Sequence, residues 1–330
     1  MLTPPDDLPD DLLRDVLARE WGLTAASADY RPVGWGSHHW EVREHDGTRW
    51  FATLDVLAQQ RLTADEPTGA AFGRLSGALA AVCALRAGGA GFAIAPVPTR
   101  SGAPLAAAGE AFALALYGFV DGRSFRWGEW ESPGHRRAVL DLVARVHAAP
   151  EPVRRLAPVD DLAVPHRDVL EAALVGGPVP DVGPYTRAAV DLVGAHAPTV
   201  RALLGRYDAL VAAARAQAGR LVLTHGEPHP GNTMHTAEGW VLIDWDTARC
   251  APPERDLWSL DPGDGSLLAA YEQATGVAPD PAVLELYRVR WDLSDLAVDT
   301  ARFLRPHSGN ADDAESWTIL TRLLTHLSAP

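Results

Sequence analysis

Residues 221–248 read LVLTHGEPHPGNTMHTAEGWVLIDWDTA. The stretch divides into an apolar strand end, a polar loop, a short hairpin, a second apolar strand and an acidic exit. His225, Glu227 and Asn232 fall in the loop, and Asp244 and Asp246 follow the second strand. Glu227 and Asn232 are five residues apart, and Asn232 and Asp244 twelve. The longer spacing fits two strands joined at Ala237-Glu238-Gly239, a hairpin that returns Asp244 to the neighbourhood of Asn232.

These residue types suit phosphoryl transfer. A divalent cation on a triphosphate takes hard oxygen ligands, which Asn232 and Asp244 supply. A substrate hydroxyl needs a carboxylate to accept its proton, and Glu227 is placed for that. His229 and His235 lie nearby, but the oxygen-rich surroundings favour Mg²⁺ over zinc.

The segment His225–Asn232 resembles the H-G-D-x-x-x-x-N loop of the aminoglycoside phosphotransferase family. Val241–Asp246 resembles that family's I-D-W/F-D segment, and Pro253-Glu254-Arg255-Asp256-Leu257 its later D-L element. The resemblance is strong from about Leu221 to Leu260 and collinear back to about Val33, and the wording APPERDL is most similar to spectinomycin phosphotransferases. It implies an α+β, two-lobed protein-kinase-like fold. Residues 1–122 would form a nucleotide-binding lobe with a small antiparallel sheet, ending in a hinge. Residues 123–330 would form a larger, mostly helical lobe with the catalytic loop and substrate pocket.

The resemblance also distributes roles. Gly34, Gly36 and Ser37 lie where a nucleotide-binding loop sits in the family, and G-x-G-S reads equally as an ordinary hairpin turn. Tyr117, Gly118, Phe119 and Val120 occupy the hinge that meets the adenine, or else an edge strand and turn. His147 and Asp256 read as structural, His225 as a residue packed inside the loop, and Trp245 as core.

Two positions depart from the family pattern. The lysine that would hold the α- and β-phosphates is collinear with Thr53, and all 29 basic residues of this chain are arginines. The helix expected over Ala70–Arg86 carries no acidic partner for it. Three readings follow: an arginine such as Arg43, Arg49 or Arg61 takes over the phosphate contact, metal alone serves, or kinase activity is lost. Intact Asn232 and Asp244 favour the first two. Glu227 stands where the family has aspartate, one methylene longer, a displacement of the order of ~1 Å that can cost ~10²-fold in rate.

Composition narrows the setting. The 330 residues suffice for two lobes with a large core. No apolar run approaches the ~18 residues of a membrane helix, and the acidic start MLTPPDDLPDDLLRDVL lacks signal-peptide character. A cytoplasmic protein without a membrane partner is expected. Cys83 and Cys250 read as buried thiols rather than a disulfide framework. The net charge of −14 disfavours nucleic acid and favours a cationic small substrate.

Helical spacing is expected over Asp10–Trp21, Ser132–His147, Arg167–Leu174, Tyr185–Ala218, Ser266–Gly276, Pro281–Leu304 and Asn310–Pro330. Strands are expected in Tyr30–Val42, Trp50–Leu57, Gly91–Pro98 and Phe112–Val120, and a linker or insertion in Glu151–Pro184. Asp292, Asp295 and Asp299 share one helical face. That face is an acidic pocket for amines if it turns toward the cleft, or a solvated surface with Arg288 and Arg302 as ion-pair partners.

The expected activity is transfer of a phosphoryl group from ATP, with GTP the other donor, assisted by Mg²⁺, to a hydroxyl of a small polar molecule. The resemblance implies an aminoglycoside or aminocyclitol antibiotic. A kinase of another small alcohol or antibiotic class, and a non-catalytic relative with a degraded site, are the alternatives.

Overall fold

The computed structural model describes residues 1–176, 179, 181–216 and 220–328. Parts of the expected linker (177, 178 and 180), the Ala218 end of one helical pattern and the last two residues of the pattern expected to run to Pro330 lie outside these.

The chain begins with α1 (Leu12–Val16), which continues as a π-helical turn over Leu17–Trp21 and stops at Gly22, whose φ of 74° is left-handed. Then come β1 (Ala25–Arg31), β2 (His38–Glu44), β3 (Arg49–Val56), α2 (Thr68–Ala87), β4 (Ala106–Ala108) and β5 (Phe112–Gly118). The strands form one sheet in the order β1-β2-β3-β5-β4, every pair antiparallel. Side-chain alternation divides its faces. Trp40, Leu54 and Leu114 lie on one, packed with Leu13, Val16 and Leu17. Ala113 and Ala115 lie on the other and share a core with Leu75, Leu79 and Val82 of α2.

The chain continues with β6 (Arg123–Ser124), α3 (Pro133–His147), α4 (Glu151–Arg154), α5 (Arg167–Val175), α6 (Thr186–Ala195), α7 (Ala197–Arg215), β7 (Val222–Thr224), β8 (Thr233–Thr236), β9 (Gly239–Leu242), β10 (Arg249–Ala251), α8 (Glu254–Leu257), α9 (Ser266–Thr275), α10 (Pro281–Phe303) and α11 (Ala311–Leu327). Local chemistry starts the helices. Ser132 accepts the His135 amide ahead of α3, Asp280 accepts that of Ala282 ahead of Pro-initiated α10, and Asn310 with Asp313 forms a capping box on α11. One core runs from α2 through α3 to Leu223, Leu242 and Trp245. A second wraps α10, joining Leu293 and Leu296 to Leu170, Val193 and Leu204.

Four expectations need correction. Gly91–Pro98 forms no strand: Ile94 donates to the Leu242 carbonyl at 3.0 Å and Leu242 to that of Phe92 at 2.8 Å, so the segment ties the small lobe to β9. Tyr30–Val42 is broken by the glycine loop between β1 and β2. The two cysteines are free and half-buried rather than buried. Finally, α2 is long and apolar enough to span a membrane by length and composition, yet its apolar side is built into the core described above.

Candidate active site

The 221–248 stretch folds as its spacing requires. Thr233 pairs with Leu242 and Thr236 with Gly239, leaving residues 237–238 as the turn. The Ile243 amide donates to the Asn232 carbonyl at 3.0 Å, which sets Asp244 beside Asn232. Asp244 has a φ of 65°. A left-handed aspartate costs on the order of 1–3 kcal/mol, and such strain gathers at functional sites.

The loop before it is pinned from below. Asp256 accepts the His225 amide at 2.9 Å and that of Gly226 at 2.6 Å. Its second-lobe partner is His147, whose Nε2 lies 3.0 Å away while Nδ1 meets the Tyr271 hydroxyl at 2.8 Å. His225 donates through Nε2 to the Ile243 carbonyl at 2.9 Å, and burial drives its pKa down to about 4, so it is neutral. Arg255 bonds Thr224 Oγ1 at 2.9 Å and the Thr247 carbonyl at 2.8 Å. Its guanidinium lies so close to Gly226 (φ 104°) that a Cβ there would sit 2.5 Å away; only glycine fits.

Above this base, Glu227 faces a group of carboxyls. Burial would raise the Glu227 pKa, yet the group is held below its ordinary value, the Arg255 guanidinium contributing, and is a carboxylate at neutral pH. Burial, with the charges of Glu227 and Asp55, pushes Asp244 up to about 7. Asp246 is raised by burial and by Asp244. Asp55 is raised to about 6 by burial, against hydrogen bonds from Ser37 and Gln60. The centre thus holds excess negative charge. Among the described residues no three His, Cys, Asp or Glu side chains converge on one point. The fit to a divalent cation therefore rests on Asn232 and Asp244, two hard oxygen donors, a set that suits Mg²⁺ completed by water and phosphate oxygens.

The small lobe shows where sequence reasoning was incomplete. Gly34 and Gly36 both have positive φ, 70° and 90°, in the loop between β1 and β2. The Met1 nitrogen donates to the Gly34 carbonyl at 2.9 Å and to that of Ser37 at 3.1 Å. Ser37 is not offered to a phosphate: it is buried, and its hydroxyl donates to Asp55 at 2.7 Å. The register places Thr53 opposite His39 and Ala115, and Thr53 Oγ1 lies 3.3 Å from His39 Nδ1. Asp55 and His39 were missed, although Asp55 follows Thr53 by two, the spacing of a shared strand face.

Of the three arginines considered for the phosphate contact, Arg61 donates to the Ala64 carbonyl at 3.4 Å just after β3, and Arg43 and Arg49 both pair with Glu41. They sit at the turn end of β2 and β3, about 16 Å along the strand from the glycine loop at ~3.3 Å per residue. Arg49 also covers the Phe119 ring at 3.5 Å and its carbonyl takes the Phe119 amide at 3.2 Å. Tyr117 turns inward, where burial and the charges of Asp244, Asp55 and Asp246 raise its pKa. Gly118 pairs with Trp50 at the sheet end, and Val120 follows it.

On α10, Asp299 is 4% exposed, and burial pushes it up to about 7. Asp295 is raised to about 8 by burial, then by the charges of Asp299, Glu227 and Asp292. Asp292 is raised chiefly by burial. Arg288 pairs with Glu285 rather than Asp292, and Arg302 with Asp313 rather than Asp299. The solvated ion-pair arrangement is therefore not what forms.

Residues 29–287 match the model of the APH phosphotransferase enzyme family. The chain belongs to that family. It is a phosphotransferase with an alcohol group as acceptor. The phosphotransferase is 31% identical over 264 residues to Protein StrN of Streptomyces griseus, covering 76% of this chain and 77% of that protein. Among solved structures it is similar to the spectinomycin phosphotransferase APH(9)-Ia in complex with ADP and spectinomycin, with a TM-score of 0.69 at 16% identity over 98% of this chain and 99% of that one. It is also similar to the amicoumacin kinase hAmiN in complex with AMP-PNP, Ca²⁺ and Ami, with a TM-score of 0.60 at 14% identity over 97% and 93%. These likenesses establish the two-lobed protein-kinase-like fold.

Proposed function

We propose that this phosphotransferase moves the γ-phosphoryl group of ATP, with GTP as the alternative donor, onto a hydroxyl of a cationic aminocyclitol or aminoglycoside, an antibiotic-inactivating reaction. The observation that carries the acceptor class is the acidic side of α10. The Glu227 charge reaches Asp295, and the arginines of its own helix, Arg288 and Arg302, are paired elsewhere, which leaves Arg322 of α11 as the arginine acting on Asp295. An ammonium group of the acceptor supplies the missing counter-charge and places an adjacent hydroxyl at Glu227.

Glu227 orients or deprotonates that hydroxyl. Asn232 and Asp244 would hold Mg²⁺, whose charge offsets that of the phosphates and the carboxyl group cluster. The glycine loop at Gly34 and Gly36 covers the phosphates, Thr53 borders them, and Tyr117 to Val120 meet the base. With Arg43 and Arg49 engaged at the far strand end, the role of the absent lysine falls to metal and backbone, with Arg61 the remaining arginine. The lobe boundary at residue 122 belongs to the same reading.

Magnesium-dependent ATP binding by calorimetry, followed by phosphorylation of an acceptor panel beginning with spectinomycin, tests the proposal. Turnover confined to amine-bearing acceptors supports it. Turnover of choline-like alcohols or neutral macrocycles instead moves the acceptor class, and no ATP turnover with any acceptor removes the reading.

A further inference from the structure

The catalytic loop contains a second lock that the spacing of its chemistry-bearing residues does not announce. The side-chain amide of Asn232 has two N–H groups. One donates to the Glu227 carbonyl at 3.1 Å, and His229 Nε2 lies 3.3 Å from the same nitrogen, placed to accept the other, while Glu227 Oε2 is 3.6 Å from Nε2, beyond hydrogen-bond distance. With both N–H groups used, Oδ1 is left as the side-chain acceptor of a residue only 7% exposed.

His229 is itself held. Its amide donates to the Glu227 carbonyl at 2.8 Å and its carbonyl accepts from the Asn232 amide at 3.0 Å. A Cβ on Gly231 would lie 3.1 Å from ring Cε1, and Trp127 stands edge-on with centroids 6.3 Å apart. Accepting at Nε2 puts the ring proton on Nδ1, which is buried without a partner. A buried unpaired donor is unfavourable, so the ring orientation is retained for what Nε2 does.

We propose that His229 is a positioning residue that fixes the Asn232 carboxamide with Oδ1 toward the metal accompanying the nucleotide. This rests on the phosphotransferase reading above, in which Asn232 is a metal ligand. Partners that orient a ligand commonly change metal affinity ~10–100-fold when removed.

The test is Mn²⁺ affinity at saturating ATP, followed by electron paramagnetic resonance, with melting temperature measured alongside. His229→Ala is expected to weaken Mn²⁺ binding ~10–100-fold with little change in melting. His229→Gln, whose Oε1 can accept the same N–H, recovers most of the loss. In an Asn232→Ala background, His229→Ala costs nothing further. Native Mn²⁺ affinity in His229→Ala, failure of Gln to do better than Ala, or additive losses in the double variant would overturn the proposal. Absence of metal-dependent ATP binding in the unmodified chain overturns the underlying reading as well, and is recognised before any variant is made.

Discussion

Asp256 and His147 stand 109 residues apart in sequence and meet at 3.0 Å in the interior, both fully buried. Because Asp256 also takes two loop amides, its removal strands two donors and an imidazole. Asp256→Ala is expected to cost about 3–5 kcal/mol, as for other broken buried pairs, and to abolish phosphorylation. Asp256→Asn keeps one acceptor oxygen and should lose less stability. Denaturant unfolding of both variants decides this; a surface-like change below about 0.5 kcal/mol for Ala would contradict it.

Glu227 is ionised at neutral pH despite burial, with the Arg255 guanidinium contributing. Glu227→Gln keeps the shape and removes the charge. We expect kcat to fall ~10²–10⁴-fold while ATP binding persists. Single-turnover assays separate these, and an unchanged kcat would leave Glu227 an orienting residue only.

Asp55 holds Ser37 beneath the glycine loop at 2.7 Å. Asp55→Ala frees that hydroxyl and removes one of the charges raising Asp244. Metal-free nucleotide binding is expected to change severalfold and the Asp244 pKa to fall. Nucleotide titrations with and without Mg²⁺ report the first, and carboxyl titration by NMR the second.

Acid and neutral pH should act in opposite directions on stability. Burial would raise Asp160, but Arg290, Arg255 and Arg249 outweigh it and hold the carboxyl at about 2. Its contribution is full above the unfolded value near ~4 and is lost as pH falls toward 2. Asp295 and Asp299, raised to about 8 and about 7, work the other way. The folded state binds more protons than the unfolded one between ~4 and 8, so stability falls as pH rises through that window. Melting temperature should therefore rise when pH is lowered from 8.5 to 6. The rise should shrink in Asp295→Asn and with a bound amine. A flat profile would show that the acidic side of α10 is solvated.

The hairpin was legible because its partners are close in sequence: a two-residue turn fixes the pairing of Thr233 with Leu242, and with it Asp244 beside Asn232. Apolar periodicity and the caps at Ser132, Asp280 and Asn310 likewise set the helices from local information. The missing lysine at Thr53 was also plain. Local spacing did not reveal that the Asp55 charge reaches Asp244, that Ser37 spends its hydroxyl inward, or that Arg43 and Arg49 close on Glu41. Nor did it show which way the aspartates of α10 look. A helix face repeats the same residues whether it meets solvent or a cleft. Only packing α10 against α7 on one side and α11 on another determines its rotation. Residue identities and short spacings thus determined the chemistry available to this chain. Tertiary structure decided which charges are left without partners, because that depends on contacts between elements far apart in sequence.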